Sequence, residues 1–274
     1  MADILEEIIA WKRIEIEQAK RQMPERALHA QVERIMAEDQ PVASLKEALY
    51  TQGADKRRPP QIIAEFKRKS PSKGWIHQDA MAETVTIDYQ LHGAAAVSIL
   101  TDQKYFGGSD EFILNARRAG LTLPVLYKNF VVDEYQLFQA KACGASAVLL
   151  IAADLSKTVC RRLLEMSHQL KLEVLIEMHT ESETEYADLQ PDVCGINNRN
   201  LGTFVTDITN SVRLASLLPN DIVKVSESGI HTAEDMVMLW QQGFDGFLIG
   251  ERFMKEQQPG EALKAFLDQA YGMV

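Results

Sequence analysis

The chain has 274 residues, 46% of them hydrophobic and 25% charged, the proportions of a globular protein with a sizeable core, which excludes disordered and fibrous classes. Its length suits one large domain better than two average ones. A net charge of −10, with no Lys/Arg run longer than KRR at Lys56 to Arg58, sets the chain against nucleic acid and anionic membrane surfaces, so neither partner is expected.

The chain opens on MADILEEIIAWKR, whose early acids and charge-broken apolar positions are not those of a signal peptide. No apolar run approaches the ~20 residues of a membrane span, so a cytoplasmic location is expected. Residues 4–22 place Ile4, Leu5, Ile8, Ile9, Trp11 and Ile16 at helical spacing, and Pro24 ends the stretch. A second helical stretch reaches about Tyr50, after which the polar TQGADKRRPP leads to the first strongly apolar run. Residues 1–57 thus read as a helical extension of a single domain spanning 1–274.

Eight short apolar, β-branched runs follow, separated by helix-sized segments: QIIAEFK, AAAVSILT, PVLYKNF, ASAVLLIAA, LEVLIEM, DVCGINN, IVKVSES and GFLIGE. HGAAAVSIL, AGLTLPVL, CGASAVLLI and QGFDGFLIG each read as helix end, capping glycine, turn and strand. Asp133, Thr180-x-x-Glu183 and Thr232 mark helix starts. Eight β-α units in order close most naturally into a (β/α)8 TIM barrel. The rival, an open doubly wound sheet, calls for a glycine-rich first turn, and AEFKRKSPSKG is not GxGxxG. Cys143, Cys160 and Cys194 are odd in number and widely spaced, and read as buried thiols rather than a disulfide or zinc framework.

Charge inside a barrel strand must lie near its end or stand unpaired in the core. Here the exceptions come last in their runs: Glu65 and Lys67, Lys128, Glu177, Asn197 and Arg199, then Glu227 and Ser228. Strand alternation puts Glu65 and Lys67 on one face with Ile63, Lys128 with Leu126, and Glu177 with Leu175. Lys67, Lys128 and Arg199 then face Glu65, Glu177 and Glu227 at the C-terminal rim, where such barrels place their chemistry. A ring of ion pairs that only closes the mouth is the alternative reading. Among Arg68, Lys69 and Lys73, charge on a loop is usually solvated. Gly229 in SESGI, and Gly250 with the Glu251 N–H in GFLIGE, fit a phosphate site on the loops after the last two strands; turn glycines are the bland reading. The six histidines show no metal-binding spacing, so no metal is assigned. Trp75 and Phe130 suit either stacking on an aromatic ring or core packing.

The stretch IIAEFKRKSPSKG, with its E-x-K-x-x-S-P-S spacing, resembles the first strand and loop of indole-3-glycerol phosphate synthase. YFGGS, YKNFVVDEYQ, LIAADL, LIEMHTE, GINNRNL, VSESGI and FLIGE follow in that family's order, so the resemblance covers nearly the whole chain, helical extension included. It implies a decarboxylating lyase of tryptophan biosynthesis that closes carboxyphenylamino-deoxyribulose 5-phosphate to indole-3-glycerol phosphate without a cofactor. By the same resemblance Lys128 is the general acid of ring closure, Glu177 the acid/base of dehydration with Glu65 beside it, and Lys67 the holder of the substrate carboxylate. Asn197, Arg199, Glu227 and Ser228 are implied substrate contacts, and Ser70, Lys69, Gly229, Gly250 and Glu251 a phosphate cradle.

Departures from the family pattern are Asn129 where Asp is usual after the lysine, Asn200 where Asp is common, and Phe66 where a smaller aliphatic is common. The first removes a carboxylate near Lys128, so Asn129→Asp is expected to raise the basic limb of the pH–rate profile. Other phosphate-binding barrels, such as phosphoribosylanthranilate isomerase or the tryptophan synthase α chain, lack the E-x-K-x-x-S-P-S stretch. A non-catalytic scaffold is opposed by the intact Lys128, Glu177 and Glu65. The chain ends just after the eighth helix, so no fused isomerase is expected, and a monomer or weak homodimer is expected in solution.

Overall fold

The computed structural model describes residues 4–38, 42–52, 58–200 and 205–274. Its core is a closed barrel of eight parallel strands in chain order. They are β1 (Gln61–Phe66), β2 (Ala96–Leu100), β3 (Val125–Lys128), β4 (Ala147–Ile151), β5 (Glu173–Met178), β6 (Val193–Asn197), β7 (Val223–Glu227) and β8 (Gly246–Ile249). Each lies within one of the expected runs, and β8 closes on β1 with Gln61 opposite Gly246. Ile63, Leu126, Leu149, Leu175, Val225 and Leu248 fill the interior, while Phe66, Val97, Tyr127, Ile176 and Phe247 pack outward under the helices. Both faces are covered, which is why the strands read as continuous apolar runs.

The turn signals hold at the repeated positions. Gly93, Gly120, Gly144 and Gly243 all have φ between +90° and +101°, the left-handed conformation that ends a helix and delivers the next strand. Asp133 caps the helix Glu134–Cys143 by accepting from the Tyr135 N–H at 2.8 Å, and Thr232 and Asp235 exchange bonds at the start of Ala233–Gln241.

Three expectations are corrected. The second helical stretch is two helices, α2 (Glu25–Ala37) and α3 (Leu45–Leu49), after α1 (Ile4–Gln22); Ser44 starts α3 by accepting from the Glu47 N–H at 3.0 Å. The segment after Thr180 is a 3₁₀-helix, Ser182–Leu189. Its Glu183 carboxylate reaches back to the His179 N–H at 2.6 Å, and the Thr180 hydroxyl pairs with that of Ser182. RKSPSKG is an antiparallel hairpin, Lys69–Ser70 against Gly74–Trp75, instead of an irregular loop. The expected end of the extension at residue 57, part of TQGADKRRPP and Leu201 of GINNRNL lie outside the described residues.

The extension serves both ends of the barrel. Leu45 and Leu49 of α3 are fully buried and join the interior cluster at the strand starts. There Ser44 Oγ and the Lys46 N–H bind Glu173 at 2.5 and 2.9 Å, and the Thr51 hydroxyl bonds to Asp245. At the other end, Ile4, Leu5 and Ile8 of α1 line the C-terminal mouth. Lys12 ties α1 to Asp102 just after β2 at 2.6 Å, and Tyr135 donates to the Met23 carbonyl at 2.8 Å. Each fully buried Leu of these plugs is worth about 1.5–3 kcal/mol. Among the described residues, no helix is long and apolar enough to cross a membrane.

Candidate active site

The C-terminal mouth holds a cavity of about 280 Å³. Strand ends deliver its charge: Lys128, Asn197 and Glu227 are the last residues of β3, β6 and β7, and Glu65 and Glu177 are the last but one of β1 and β5. Lys128 Nζ sits 2.8 Å from Glu177 Oε2 and 2.8 Å from Glu227 Oε2. Asn197 Nδ2 donates to Glu177 Oε1 at 3.1 Å, and Lys67 Nζ donates to Glu65 Oε1 at 2.5 Å. The three inner carboxylates, Glu65, Glu177 and Glu227, are 4%, 3% and 1% exposed. That much burial is tolerable only because each has a partner within bonding distance.

Two glycines make the space for this packing. A Cβ at Gly250 would collide with the Glu65 side chain, and one at Gly195, in the middle of β6, would collide with the Glu227 carboxylate. Gly229 has φ +77° and faces Thr206, and Ser228 before it is also left-handed at φ +67°. A non-glycine residue in that conformation stores strain of about 1–3 kcal/mol. Here it turns the chain sharply at the end of β7, where the Ser228 carbonyl accepts from Asn198 Nδ2 at 3.0 Å.

The electrostatics separate the two carboxyls on Lys128. Burial pulls the lysine's pKa down, but Glu177, Glu227 and Glu65 together outweigh it and hold the ammonium above its ordinary value. Burial also works against an ionised Glu177, yet Lys128 and His179 overcome it and hold this carboxyl well below the usual range. Glu227 goes the other way: burial, only partly offset by Lys128 and reinforced by the Glu177 charge, pushes it up to about 7. One carboxylate and one carboxyl that titrates near neutrality therefore flank a single ammonium, the separation expected of a working acid and base.

The barrel order sorts the rest of the lining. On the β3–β4 side Phe130, Ile151 and Leu149 form an apolar wall with Phe106, whose ring centroid is 6.0 Å from that of Phe130, and with Leu5 and Ile8 of α1. Across the barrel, the ends of β7, β8 and β1 present Ser228, Gly229, Gly250, Glu251 and Ser70, with Arg252 and Lys255 behind them. Arg199 also lines the cavity, 3.5 Å from Ser72 Oγ of the hairpin and 4.0 Å from Glu251 Oε2. The Glu251 carboxylate also lies 3.9 Å from Lys73.

Two candidates are not brought in. Lys69 donates to the Lys104 carbonyl at 3.3 Å and lies over the Trp75 ring, and Trp75 itself is 47% exposed against Gly107, outside the cavity lining. The hairpin explains both, because its two strands turn these side chains away from the mouth together. Asn129 directs its amide to Thr101 Oγ1 at 2.7 Å and the Tyr127 hydroxyl at 3.3 Å, following the alternation that sends Lys128 inward. No sequence signal pointed to the α1 wall, to Phe106, Arg252 and Lys255, or to His179 beside Glu177. The clash-relieving Gly195 was visible as a glycine within a strand, a mark of close approach.

Comparison with known proteins identifies the family. The family model for indole-3-glycerol phosphate synthase matches residues 5–266. Indole-3-glycerol phosphate synthase of Bacteroides thetaiotaomicron is 50% identical over 97% of this chain and 98% of its own length. That of Acidithiobacillus ferrooxidans is 41% identical over 96% and 98%. Among solved structures, thiamine phosphate pyrophosphorylase of Pyrococcus furiosus superposes with a TM-score of 0.60 at 13% identity, over 84% of this chain and 100% of that one. A mutant tryptophan synthase α-subunit of the same organism gives 0.58 at 12%, over 78% and 99%; at such identities the likeness shows the barrel fold alone. Matched along nearly its whole length and at half identity by a curated relative, the chain belongs to the indole-3-glycerol phosphate synthase family.

Proposed function

We infer that the mouth of the barrel performs its family's reaction in tryptophan biosynthesis, the decarboxylating ring closure of 1-(2-carboxyphenylamino)-1-deoxyribulose 5-phosphate. The observation that carries the assignment of roles is Lys128, an ammonium held between Glu177 and Glu227 at 2.8 Å each on the floor of a cavity with one apolar and one polar side.

The substrate's two anionic ends and its aromatic ring match that division. Its phosphate fits the loops after β7 and β8, held by the N–H groups of Gly229, Gly250 and Glu251 and by Ser70, with Arg252 and Lys255 supplying charge. Its ring lies against Phe106, Phe130, Leu5 and Ile8, and Lys67 holds the carboxylate. As the ring carbon attacks the ketone, Lys128 gives a proton to the developing alkoxide. The carboxylate then leaves as carbon dioxide, its electron pair restoring the aromatic ring. Loss of the new hydroxyl as water needs one group to give a proton and one to take one. Glu177, ionised at the outset, is suited to take it, with Glu65 and the paired Lys67 next to the leaving group. Asn197 and Arg199 orient Glu177 and the sugar chain. On the same reading the protein acts in the cytoplasm as a monomer or weak homodimer.

The test mixes purified protein with the anilino-deoxyribulose phosphate and follows indole absorbance and fluorescence. Product is expected, and its absence refutes the reading. Lys128→Ala is expected to abolish turnover while a phosphate analogue still binds; normal turnover removes Lys128 from its role.

A further inference from the structure

We propose that His179 is a positioning residue for Glu177: a buried imidazolium, wedged between Glu177 and Glu183, that keeps the Glu177 carboxylate ionised and aimed at Lys128. The proposal rests on the catalytic role given to Glu177 above and adds what prepares that residue for it.

The two flanking carboxylates favour a charged ring. His179 Nε2 lies 3.3 Å from Glu177 Oε1, and Nδ1 lies 3.6 Å from Glu183 Oε2, with the side chain only 10% exposed. A neutral imidazole has one N–H and one lone pair, so whichever tautomer formed would aim its lone pair at a carboxylate. The imidazolium has a donor for each side. At 3.3 and 3.6 Å the contacts are long for hydrogen bonds, and they act chiefly as charge against charge in a site with little water.

The ring is held in place from two elements. Glu183, on the 3₁₀-helix, also accepts from the His179 N–H at 2.6 Å. Asn210, on the helix Thr209–Ala215, donates to the His179 carbonyl at 3.1 Å. The remaining charged groups nearby are Lys128 and Glu227 on the far side of Glu177, and Glu181, which pairs outward with Arg213 at 3.6 Å. Among the described residues, Glu177 thus receives Lys128, Asn197 and His179, whereas Glu227 receives Lys128 on one oxygen and lays the other against Gly195. This inequality separates the two carboxyls. In keeping with it, Glu177 and Glu183 together outweigh burial and raise the His179 pKa to about 9, while Glu183 is lowered.

The experiment reads the charge on the ring directly. In the full chain labelled with ¹⁵N-histidine, long-range ¹H–¹⁵N correlation is expected to show both His179 nitrogens in the imidazolium pattern at pH 7.5, assigned by its loss in His179→Gln. A neutral tautomer at that pH overturns the proposal. His179→Gln keeps the bulk and a donor but not the charge. It is expected to move the acid limb of the kcat/KM profile up by about one pH unit and to lower kcat about tenfold, with KM within about twofold. An unmoved acid limb means the ring only packs, and also overturns it. If His179→Gln does not fold, Glu183→Gln serves. Its amide oxygen can still accept from the His179 N–H, and the imidazole is expected to titrate about one unit lower; an unchanged titration refutes the wedge. Inactivity of every form, with the imidazolium present, refutes the catalytic reading instead.

Discussion

The two mouths of the barrel are closed by parts of the same N-terminal extension, but in opposite ways. At the strand starts, α3 inserts Leu45 and Leu49 into an apolar interior and ties itself down through Glu173 and Asp245. At the strand ends, α1 supplies only a wall, and the floor is a cluster of buried charges around Lys128. One end is built from burial that stabilises, the other from charges whose desolvation works against folding and which hold only because they pair. The fold therefore keeps stability and chemistry at separate ends of the same strands, as catalytic barrels do.

The sharpest way to break this comparison is to make one substitution at each end. Glu177→Gln is expected to lower kcat/KM by about 10²–10⁴-fold with a fall in thermal midpoint at neutral pH smaller than that of Leu49→Ala, since Lys128 and His179 lose a paired carboxylate while Glu227 still pairs with Lys128. Leu49→Ala is expected to lower unfolding free energy by about 2–5 kcal/mol, read by urea titration, with kcat/KM of the folded protein within about twofold of the parent. If Leu49→Ala lost activity in the folded state, the two ends would not be separate.

The next test follows stability against pH. Glu227 titrates near 7 in the folded chain against about 4.5 unfolded. Between those values the folded state binds more protons, so this group's contribution favours folding below about pH 4.5 and is lost as pH rises towards 7. Replacing Glu227 by Gln is expected to flatten the stability curve between pH 5 and 7 by about 1–3 kcal/mol; an unchanged slope would place the titration elsewhere. Glu177, with its lowered value, contributes oppositely: stability present above about pH 4.5 and lost as pH falls.

The smallest effect concerns Asn129. From the sequence, Asn129→Asp should raise the basic limb of the pH–rate profile. The structure gives a different outcome, because Glu177 and Glu227 already hold Lys128 protonated and the Asn129 amide faces Thr101 and Tyr127. Tyr127 already donates to Asp110 at 2.9 Å, and burial raises that carboxyl to about 6. A second carboxylate there is expected to cost about 1–3 kcal/mol of stability with the basic limb unmoved. A shifted limb would restore the first expectation.

The barrel was legible because its strands are covered on both faces and its turns require left-handed residues, so apolar runs and capping glycines recur with the repeat. The rim was legible because a charge at the end of an apolar run has only one place to go, and alternation said which charges pointed in. What could not be read depends on partners distant in sequence. Ile4, Leu5 and Ile8 announce an amphipathic face but not the mouth it covers. The resemblance implied Lys69 as a phosphate ligand, yet the hairpin turns it towards Lys104. His179 is an ordinary histidine until Glu177 and Glu183 are seen on either side of it. The break between α2 and α3 was different, since Ser44 and Glu47 carried a helix-start signal in plain sight.

The α3 plug also bears on the order of events during synthesis. Thr51 bonds to Asp245, which follows it by 194 residues, and Leu49 packs against Gly246 of the last strand. A segment made before any barrel strand can therefore take its final place only when the barrel's last strand has arrived. Until then Leu45 and Leu49 are exposed on a helix too short to persist alone. Docking of the plug is in this sense a report that the ring has closed, and the catalytic mouth opposite is completed by the same stretch of chain.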